Sequence, residues 1–243
     1  MIAYAVGAIV LGVVGLCWRD FATNWQRVGP QVPLRTFLAC AAALCELVLG
    51  LGLLWHRTAR LAATLLMLFF AIFVLLWVPP IFAHPGVYDG YGNFFEELSL
   101  VFAAAVASAW LAPIGSSWSR ALVPLTRLYG ICAISYGLEH FFSLRGAASF
   151  VPRWIPPGQM FWAVTTAICF LLAAAAILTG ILAGLASRLL TAMIILFELL
   201  IWIPLLVKSP HDHFIWAGNS ISIALCGAVW LISDAIVASN KTQ

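Results

Sequence analysis

The chain has 243 residues, of which 64% are hydrophobic and only 9% are charged, and its formal net charge is +3. A soluble domain carries roughly 25% charged residues, so this composition excludes an ordinary water-soluble protein. The basic residues are scattered and form no basic patch, so we expect no nucleic-acid partner. The composition instead predicts an integral membrane protein whose apolar side chains contact the lipid bilayer.

Long apolar runs follow one another along the chain, and each approaches the roughly 20 residues that a helix needs to cross the bilayer. Helices are expected rather than strands because each helix satisfies its own backbone amides inside the lipid. The connections contain proline and glycine, which disfavour helix continuation. We therefore predict an all-α membrane protein with about eight transmembrane helices, over residues 2–18, 36–54, 61–82, 95–113, 121–140, 160–182, 189–207 and 215–235.

Three landmarks occur in the same order in both halves of the chain: an arginine that opens an apolar run, a Trp-x-Pro near its end and a Gly-Asn pair beyond it. They are Arg60, Trp77-Val78-Pro79 and Gly92-Asn93 in the first half, and Arg188, Trp202-Ile203-Pro204 and Gly218-Asn219 in the second. The offset of about 125 residues indicates parallel repeats with four spans each. We expect two similar four-helix bundles, over residues 1–115 and 120–238.

The orientation of the spans rests on a small difference in charge. Lysine and arginine divide almost evenly between the odd-numbered and even-numbered loops, so the positive-inside rule discriminates weakly. The even-numbered loops are shorter and have the higher charge density, which favours cytoplasmic termini. We expect a multi-pass protein of the cell (inner) membrane with this orientation.

Polar side chains gather on the membrane face formed by the odd-numbered loops and the adjoining helix ends. Six of the nine acidic residues lie on this face. Such a face can bind a ligand head group, pass protons or dock a partner. The alternative is an ordinary interface, since most membrane proteins carry interfacial aromatic residues and solvated loop charges. The candidate polar site consists of His84, Glu96, Glu97, Glu139, His140, His211 and His213.

The sequence predicts no metal site and assigns no catalytic residue. His211 and His213 lie two residues apart in a loop without a matched third ligand, which is weak support for a metal ion. Nucleophile motifs, a dinucleotide fingerprint and a covalent-haem motif are missing. We therefore expect no resident cofactor and a chain that is not an enzyme on its own. The six cysteines lie in apolar runs and are interpreted as small buried hydrophobic residues.

Glu46 and Glu198 differ from the other acids because each falls near the middle of a predicted span. An ionised carboxylate at that depth is unfavourable, so an intramembrane acid is treated first as a functional hypothesis. Either residue can stay protonated and hydrogen-bond a neighbouring helix, or pair with a cation. Arg127 is the nearest candidate cation by depth. A proton relay or a ligand contact is the third interpretation.

Several motifs resemble the DoxX-like family of small four-helix membrane proteins. The second half contains Gly137-Leu138-Glu139-His140-Phe141 followed by Val151-Pro152-Arg153-Trp154-Ile155-Pro156, and the first half contains Cys45-Glu46-Leu47-Val48-Leu49-Gly50-Leu51-Gly52. Each half of the chain would cover one family unit. The halves have diverged, because Cys17-Trp18-Arg19 stands where the second half has Glu139-His140-Phe141, and no glutamate of the second half matches Glu46.

The resemblance implies a membrane component associated with redox chemistry, since some relatives are linked to thiosulfate:quinone oxidoreduction or to oxidative-stress complexes. A quinone would need an apolar slot and a few hydrogen-bonding groups. The implied partners are the lipid bilayer and a soluble oxidoreductase or another membrane subunit. Two other functions stay open: a small-solute or proton transporter, although broken helices are not expected here, and a non-catalytic scaffold. The residues of the required type for a quinone are Tyr91, His140, Trp202 and Asn219.

Overall fold

A computed structural model describes residues 1–240, and these residues form α-helices joined by short loops. The first half contains α1 (Ile2–Trp18), α2 (Arg35–Leu53), α3 (Ala59–Ala83) and α4 (Asp89–Trp110). The connection and the second half contain α5 (Ser117–Arg120), α6 (Leu122–Leu128), α7 (Gly130–Phe142), α8 (Leu144–Phe150), α9 (Gln159–Thr179), α10 (Ala183–Phe197), a π turn (Glu198–Trp202), α11 (Ile203–Lys208) and α12 (His213–Asn240).

Helix is present at every apolar run that the sequence analysis singled out, although some boundaries differ. The fourth helix begins at Asp89 rather than at residue 95, so that Gly92 and Asn93 lie on the helix instead of in the loop before it. Asp89 stabilises this extra turn, because a carboxylate in the first turn opposes the helix dipole, and the Asn93 amide donates to the Asp89 carbonyl. The fifth run is divided into α6 and α7 at Tyr129, which keeps right-handed helical dihedral angles.

Five helical stretches are long and apolar enough to cross a membrane, and α1 is apolar but shorter. The seventh predicted span is one of them, with α10, the π turn and α11 forming a single stretch. The five stretches are Arg35–Leu53, Ala59–Ala83, Gln159–Thr179, Ala183–Lys208 and His213–Ser239.

The long helices pack in chain order within each half. In the first half α1 contacts α2, α2 contacts α3 and α3 contacts α4, and in the second half α7 contacts α9, α9 contacts α10 and α10 contacts α12. The halves meet where α1 packs on α12, and where α4 packs on both α7 and α12. The helices α4, α7 and α12 therefore border the centre of the molecule, where the polar residues are found.

Helix α1 approaches its neighbours at backbone distance. A methyl group on Gly7 would lie 2.5 Å from the Ala224 Cα atom of α12, and one on Gly12 would lie 2.5 Å from the Ala43 carbonyl oxygen of α2. Small residues permit this kind of close helix packing inside a membrane. The glycines of α1 thus join α2 of the first half to α12 of the second.

The seventh predicted span is helical throughout but contains a π turn, an irregularity that the sequence did not predict. A π turn from Glu198 to Trp202 lies between α10 and α11. Pro204 follows it, but proline alone does not explain the irregularity, since the matching Pro79 lies inside the regular helix α3. The difference between the two positions is Glu198, whose carboxyl accepts a hydrogen bond from Asn219 of α12 at 2.7 Å. The π turn thus coincides with this buried polar contact, and π turns often occur at functional sites in helices.

Candidate functional site

A cavity of about 110 Å³ lies among α7, α9, α10 and α12 of the second half. The first half closes it with Trp25, from the loop between α1 and α2, and with Glu96 of α4. Its walls are therefore a mixture of aromatic rings and polar groups contributed by both halves. The aromatic lining is Trp25, Tyr136, Phe170, Phe197 and Trp202, and the polar lining is Glu96, Glu139, His140 and Ser222.

The imidazole of His140 has a defined orientation in this cavity. Its Nδ1 atom lies 2.9 Å from the Tyr136 carbonyl oxygen one turn earlier in α7. A carbonyl only accepts hydrogen bonds, so Nδ1 carries the hydrogen. In the neutral ring Nε2 is then an acceptor, and in the protonated ring it becomes a donor. His140 can therefore exchange a proton with a bound group through Nε2.

Glu139 lies against the backbone of α4 because that helix has a glycine opposite it. A methyl group on Gly92 would lie 2.7 Å from the Glu139 Cδ atom. The glycine of the second Gly-Asn pair, Gly218, leaves space for Trp202 in the same way, since a methyl group there would lie 2.1 Å from the indole ring. Both Gly-Asn landmarks thus provide space for a side chain that lines the cavity.

Trp25 covers the cavity and connects the two halves. Its indole N–H donates to the Glu96 carboxyl, and its ring stacks on Phe214 with the ring centroids 5.7 Å apart. It also meets Trp202 edge to face at 6.2 Å. The Trp77 indole N–H donates to the Trp25 carbonyl oxygen at 2.9 Å, which ties the loop to α3. A single loop residue therefore contacts both walls of the site.

A second group of acids lies deeper and on the other side of α4. Glu97 is 1% exposed and Glu46 is 2% exposed, and Glu46 lies about 16 Å along α2 from its first residue. The Gln26 amide donates to the Glu46 carboxyl, and the Gln26 oxygen accepts from the Ala22 N–H at 3.1 Å. Neither carboxyl oxygen of Glu97 has a hydrogen-bond partner among residues 1–240.

Arg127 does not pair with either intramembrane acid, so that interpretation is wrong. The Arg127 side chain is exposed and its guanidinium lies beside Gly180, 3.0 Å from where a methyl group on that glycine would be. Glu198 is instead hydrogen-bonded to Asn219 of the neighbouring helix α12, as one interpretation expected, whereas Glu46 is hydrogen-bonded to Gln26, which lies in a loop rather than on a helix. Across the described chain the ion pairs are Arg35–Asp20 and Arg188–Asp234.

The residues of the predicted polar face do not all lie at one site. Glu96, Glu139 and His140 line the cavity, whereas His84 and His211 are exposed and do not. His213 stacks on Trp18 at 4.8 Å, near the end of α1. Within residues 1–240, no group of three histidine, cysteine, aspartate or glutamate side chains is arranged to hold a metal ion.

Tyr88 and Tyr91, at the start of α4, pack on one another. Tyr91 meets Tyr88 with the ring centroids 5.6 Å apart and does not line the cavity. The Tyr88 hydroxyl donates to the Ser135 carbonyl oxygen at 3.1 Å. Burial raises the pKa of the Tyr88 phenol, which lies in the loop before α4. These two tyrosines stabilise the contact between the start of α4 and α7.

An apolar groove of about 260 Å³ lies beside the cavity, between α9 and α10. Phe197 lines both the groove and the cavity and so separates them. Leu196, which also lines the groove, is 51% exposed, so the groove is open to the surroundings of the helices. A small movement of Phe197 would join the two spaces.

These features define the class of protein: an all-helical, multi-pass membrane protein whose apolar helices enclose a partly polar cavity. No protein-family model matches the chain, and no curated protein or solved structure shows significant similarity to it.

Proposed function

We propose that the protein is a redox-associated membrane subunit of eight spans, arranged as two DoxX-like units, and that its cavity binds the ring of a quinone. The observation that carries this proposal is the cavity itself. His140 and Glu139 offer hydrogen-bonding groups beside the rings of Phe170, Phe197 and Trp202. A ligand pocket of this kind is mainly apolar, with a few polar groups that fix the ligand's orientation.

The cavity has to widen before it can hold a quinone ring, and the neighbouring groove offers the space. An apolar cavity of about 150 Å³ holds benzene, and the present cavity of about 110 Å³ is somewhat smaller. Rotation of Phe197 would add volume from the neighbouring groove, which would then hold the apolar chain of the ligand. This route reaches the cavity from the lipid, where a quinone is dissolved.

The chemistry follows from the groups that face the ligand. Reduction of a quinone adds two electrons to the ring and one proton to each carbonyl oxygen, and oxidation reverses both changes. His140 and Glu139 would hold or accept protons at the ring oxygens, through His140 Nε2 and the carboxyl group. A partner oxidoreductase would exchange the electrons, consistent with the absence of cofactor motifs from the sequence.

Quinone binding can be tested through the tryptophans of the cavity. Titration of the protein in lipid nanodiscs with a short-chain quinone is expected to quench Trp25 and Trp202 fluorescence to saturation. The variant His140→Leu is expected to raise the Kd by about tenfold, the loss of roughly 1.4 kcal/mol of binding free energy. His211→Leu is the matched control, since that histidine is exposed and outside the cavity. Quenching that does not saturate, or that is equal in the two variants, would contradict quinone binding.

The π turn of the seventh span favours a second candidate function, which is proton or small-solute transport. π turns inside α-helices are frequent at functional sites, and this one begins at the buried carboxyl of Glu198. Under this alternative, proteoliposomes should show solute or proton flux that Glu198→Gln abolishes. Equal flux in proteoliposomes with and without the protein would exclude it for the solutes tested.

A further inference from the structure

We infer that a cleft at the surface of the second half binds an anionic phospholipid, with the head group beside Lys208 and an acyl chain along the π turn. The cleft has a volume of about 590 Å³. It adjoins the apolar groove, with which it shares Pro152, Leu200 and Ile201, and its lining residues differ from those of the cavity. The inference therefore does not depend on the ligand that the cavity binds.

Two segments form the walls of the cleft. One wall is the end of α8 with the loop that follows it, and the other is the π turn with α11, from Leu199 to Lys208. Lys208 is the last residue of a stretch long and apolar enough to cross a membrane. Leu199 lies nine residues before it, which is about 13 Å along the helix. The cleft thus extends from the end of the seventh span toward its middle, as an acyl chain does from its head group.

The inner part of the cleft is apolar and open to the surroundings of the helices. Phe150 on one wall and Leu199 on the other are both exposed, and so is Trp154 in the loop before α9. Apolar side chains along a membrane-spanning helix contact lipid rather than water. An exposed tryptophan near the end of a span suits the level of the lipid head groups. These side chains therefore match a phospholipid from its chain to its head group.

The charge at the outer end of the cleft favours an anionic head group. Lys208 lines the cleft and is exposed, and both ion pairs among residues 1–240 lie elsewhere. Residues 144–158 and 199–210, which contain both walls, include Arg145, Arg153 and Lys208 but no acidic residue. Basic pockets between transmembrane helices bind the head groups of anionic lipids. A zwitterionic lipid gains less here, because its own cation would face these basic residues.

The loop wall is fixed before any lipid binds. The Gln159 side-chain amide donates to the Val151 carbonyl oxygen at 2.6 Å, and the Trp162 indole N–H donates to the Pro156 carbonyl oxygen at 2.9 Å. Both donors belong to the first turns of α9, so the loop is held against that helix. A preformed site loses little conformational freedom on binding. The cleft is therefore a defined site rather than a passing contact with the bilayer.

Quenching of tryptophan fluorescence by brominated lipids tests the inference. The protein in detergent is titrated with phosphatidylglycerol brominated near the head-group end of its acyl chains, and separately with phosphatidylcholine brominated in the same way. Phosphatidylglycerol is expected to quench to saturation, with a Kd about fivefold below that of phosphatidylcholine, the effect of one basic residue at a membrane surface. The saturable part should disappear in Trp154→Phe.

Three substitutions separate the charge of the cleft from charge in general. Lys208→Gln should raise the Kd of phosphatidylglycerol by about fivefold and leave that of phosphatidylcholine unchanged. Lys208→Arg keeps the charge and should bind phosphatidylglycerol as the wild type does. Arg120→Gln is the matched control, since it removes an exposed cation of α5 outside the cleft and should change neither Kd.

Several results would overturn the inference: quenching that saturates with neither lipid, equal affinity for both lipids, or equal effects of Lys208→Gln and Arg120→Gln. Saturable quenching that persists in Trp154→Phe would place the lipid elsewhere and would contradict it too. The substituted side chains are exposed, and gel filtration with circular dichroism verifies that each variant is folded. A negative result leaves quinone binding untouched, because Lys208 and Trp154 lie outside the cavity. A failure to bind quinone likewise leaves the lipid site untouched.

Discussion

Gly92 and Gly218 belong to the two Gly-Asn pairs of the sequence, and each leaves room for a side chain from another segment. At Gly92 the neighbour is the end of a flexible glutamate, whereas at Gly218 it is a rigid indole. An added methyl group would therefore displace Glu139 at little expense in stability, but would force Trp202 out of its place. The same substitution in the two Gly-Asn pairs thus has two different physical consequences.

We predict that Gly92→Ala folds normally and weakens quinone binding by about tenfold, because the Glu139 carboxyl is pushed from its place on α4. Gly90→Ala is the matched control, since its methyl group would have its nearest contact at 3.5 Å, an ordinary distance. The Kd from tryptophan quenching measures the effect. Equal affinities of the two variants would show that the position of Glu139 does not matter for binding.

The two landmark asparagines permit a second comparison. Asn219 donates across helices to the buried Glu198, whereas Asn93 donates to the Asp89 carbonyl of its own helix. Removal of the first partner leaves a buried acid unsatisfied, so Asn219→Ala should lower the free energy of unfolding by about 1–3 kcal/mol. Asn93→Ala should have a smaller effect. Thermal unfolding in detergent should therefore give a lower Tm for Asn219→Ala than for Asn93→Ala. The reverse order would contradict this prediction.

At the scale of the helices, α1 can be tested separately because its glycines contact α2 of the first half and α12 of the second. We predict that Gly7→Ala lowers stability by about 1–3 kcal/mol, the usual effect of overpacking, since the new methyl group would meet the Ala224 backbone. Val6→Leu also adds one carbon, but to an exposed side chain, and should be nearly neutral. The unfolding midpoints of the two variants in detergent test this prediction. An equal loss of stability in both variants would show that α1 and α12 can move apart to accommodate the methyl group.

The helices were predictable from the sequence, and the reason is physical. A segment inside lipid has to satisfy its own backbone, so length and apolar composition are enough to locate a helix. The same uniform apolar composition gives no sign of irregular turns within a helix. The runs are apolar nearly all round, and nothing in the order of residues 198–202 distinguishes a π turn from an α turn. The polar contact at this turn comes from Asn219, which lies on another helix.

The candidate site was predictable only in part. Glu96, Glu139 and His140 stood out as polar residues in apolar surroundings, and they do line one cavity. Trp25 and Gln26 were missed, because both belong to a loop, and loop residues are usually at the surface. Only the folded chain shows that this loop turns inward, where Trp77 donates to the Trp25 carbonyl.

At the scale of the whole molecule, the two halves should remain together without a covalent link. They are joined by α1 on α12 and by α4 on α7 and α12, while the connection passes through the fully exposed Ile114 and through Gly115 with a φ of 84°. We predict that cleavage at a protease site inserted after Gly115 yields two fragments that co-elute in gel filtration. Separate elution would show that the connection holds the halves together.

The position of Trp25 has a consequence for how the halves influence one another. The cavity belongs mostly to the second half, yet it cannot widen on that side without disturbing Trp25, whose indole donates to Glu96 of α4 and whose carbonyl oxygen accepts from Trp77 of α3. Any molecule that displaces Trp25 also releases the Glu96 carboxyl and loosens the loop that orients Gln26 toward Glu46. A ligand in the cavity would therefore alter the surroundings of Glu46, which lies outside the cavity in the first half of the chain.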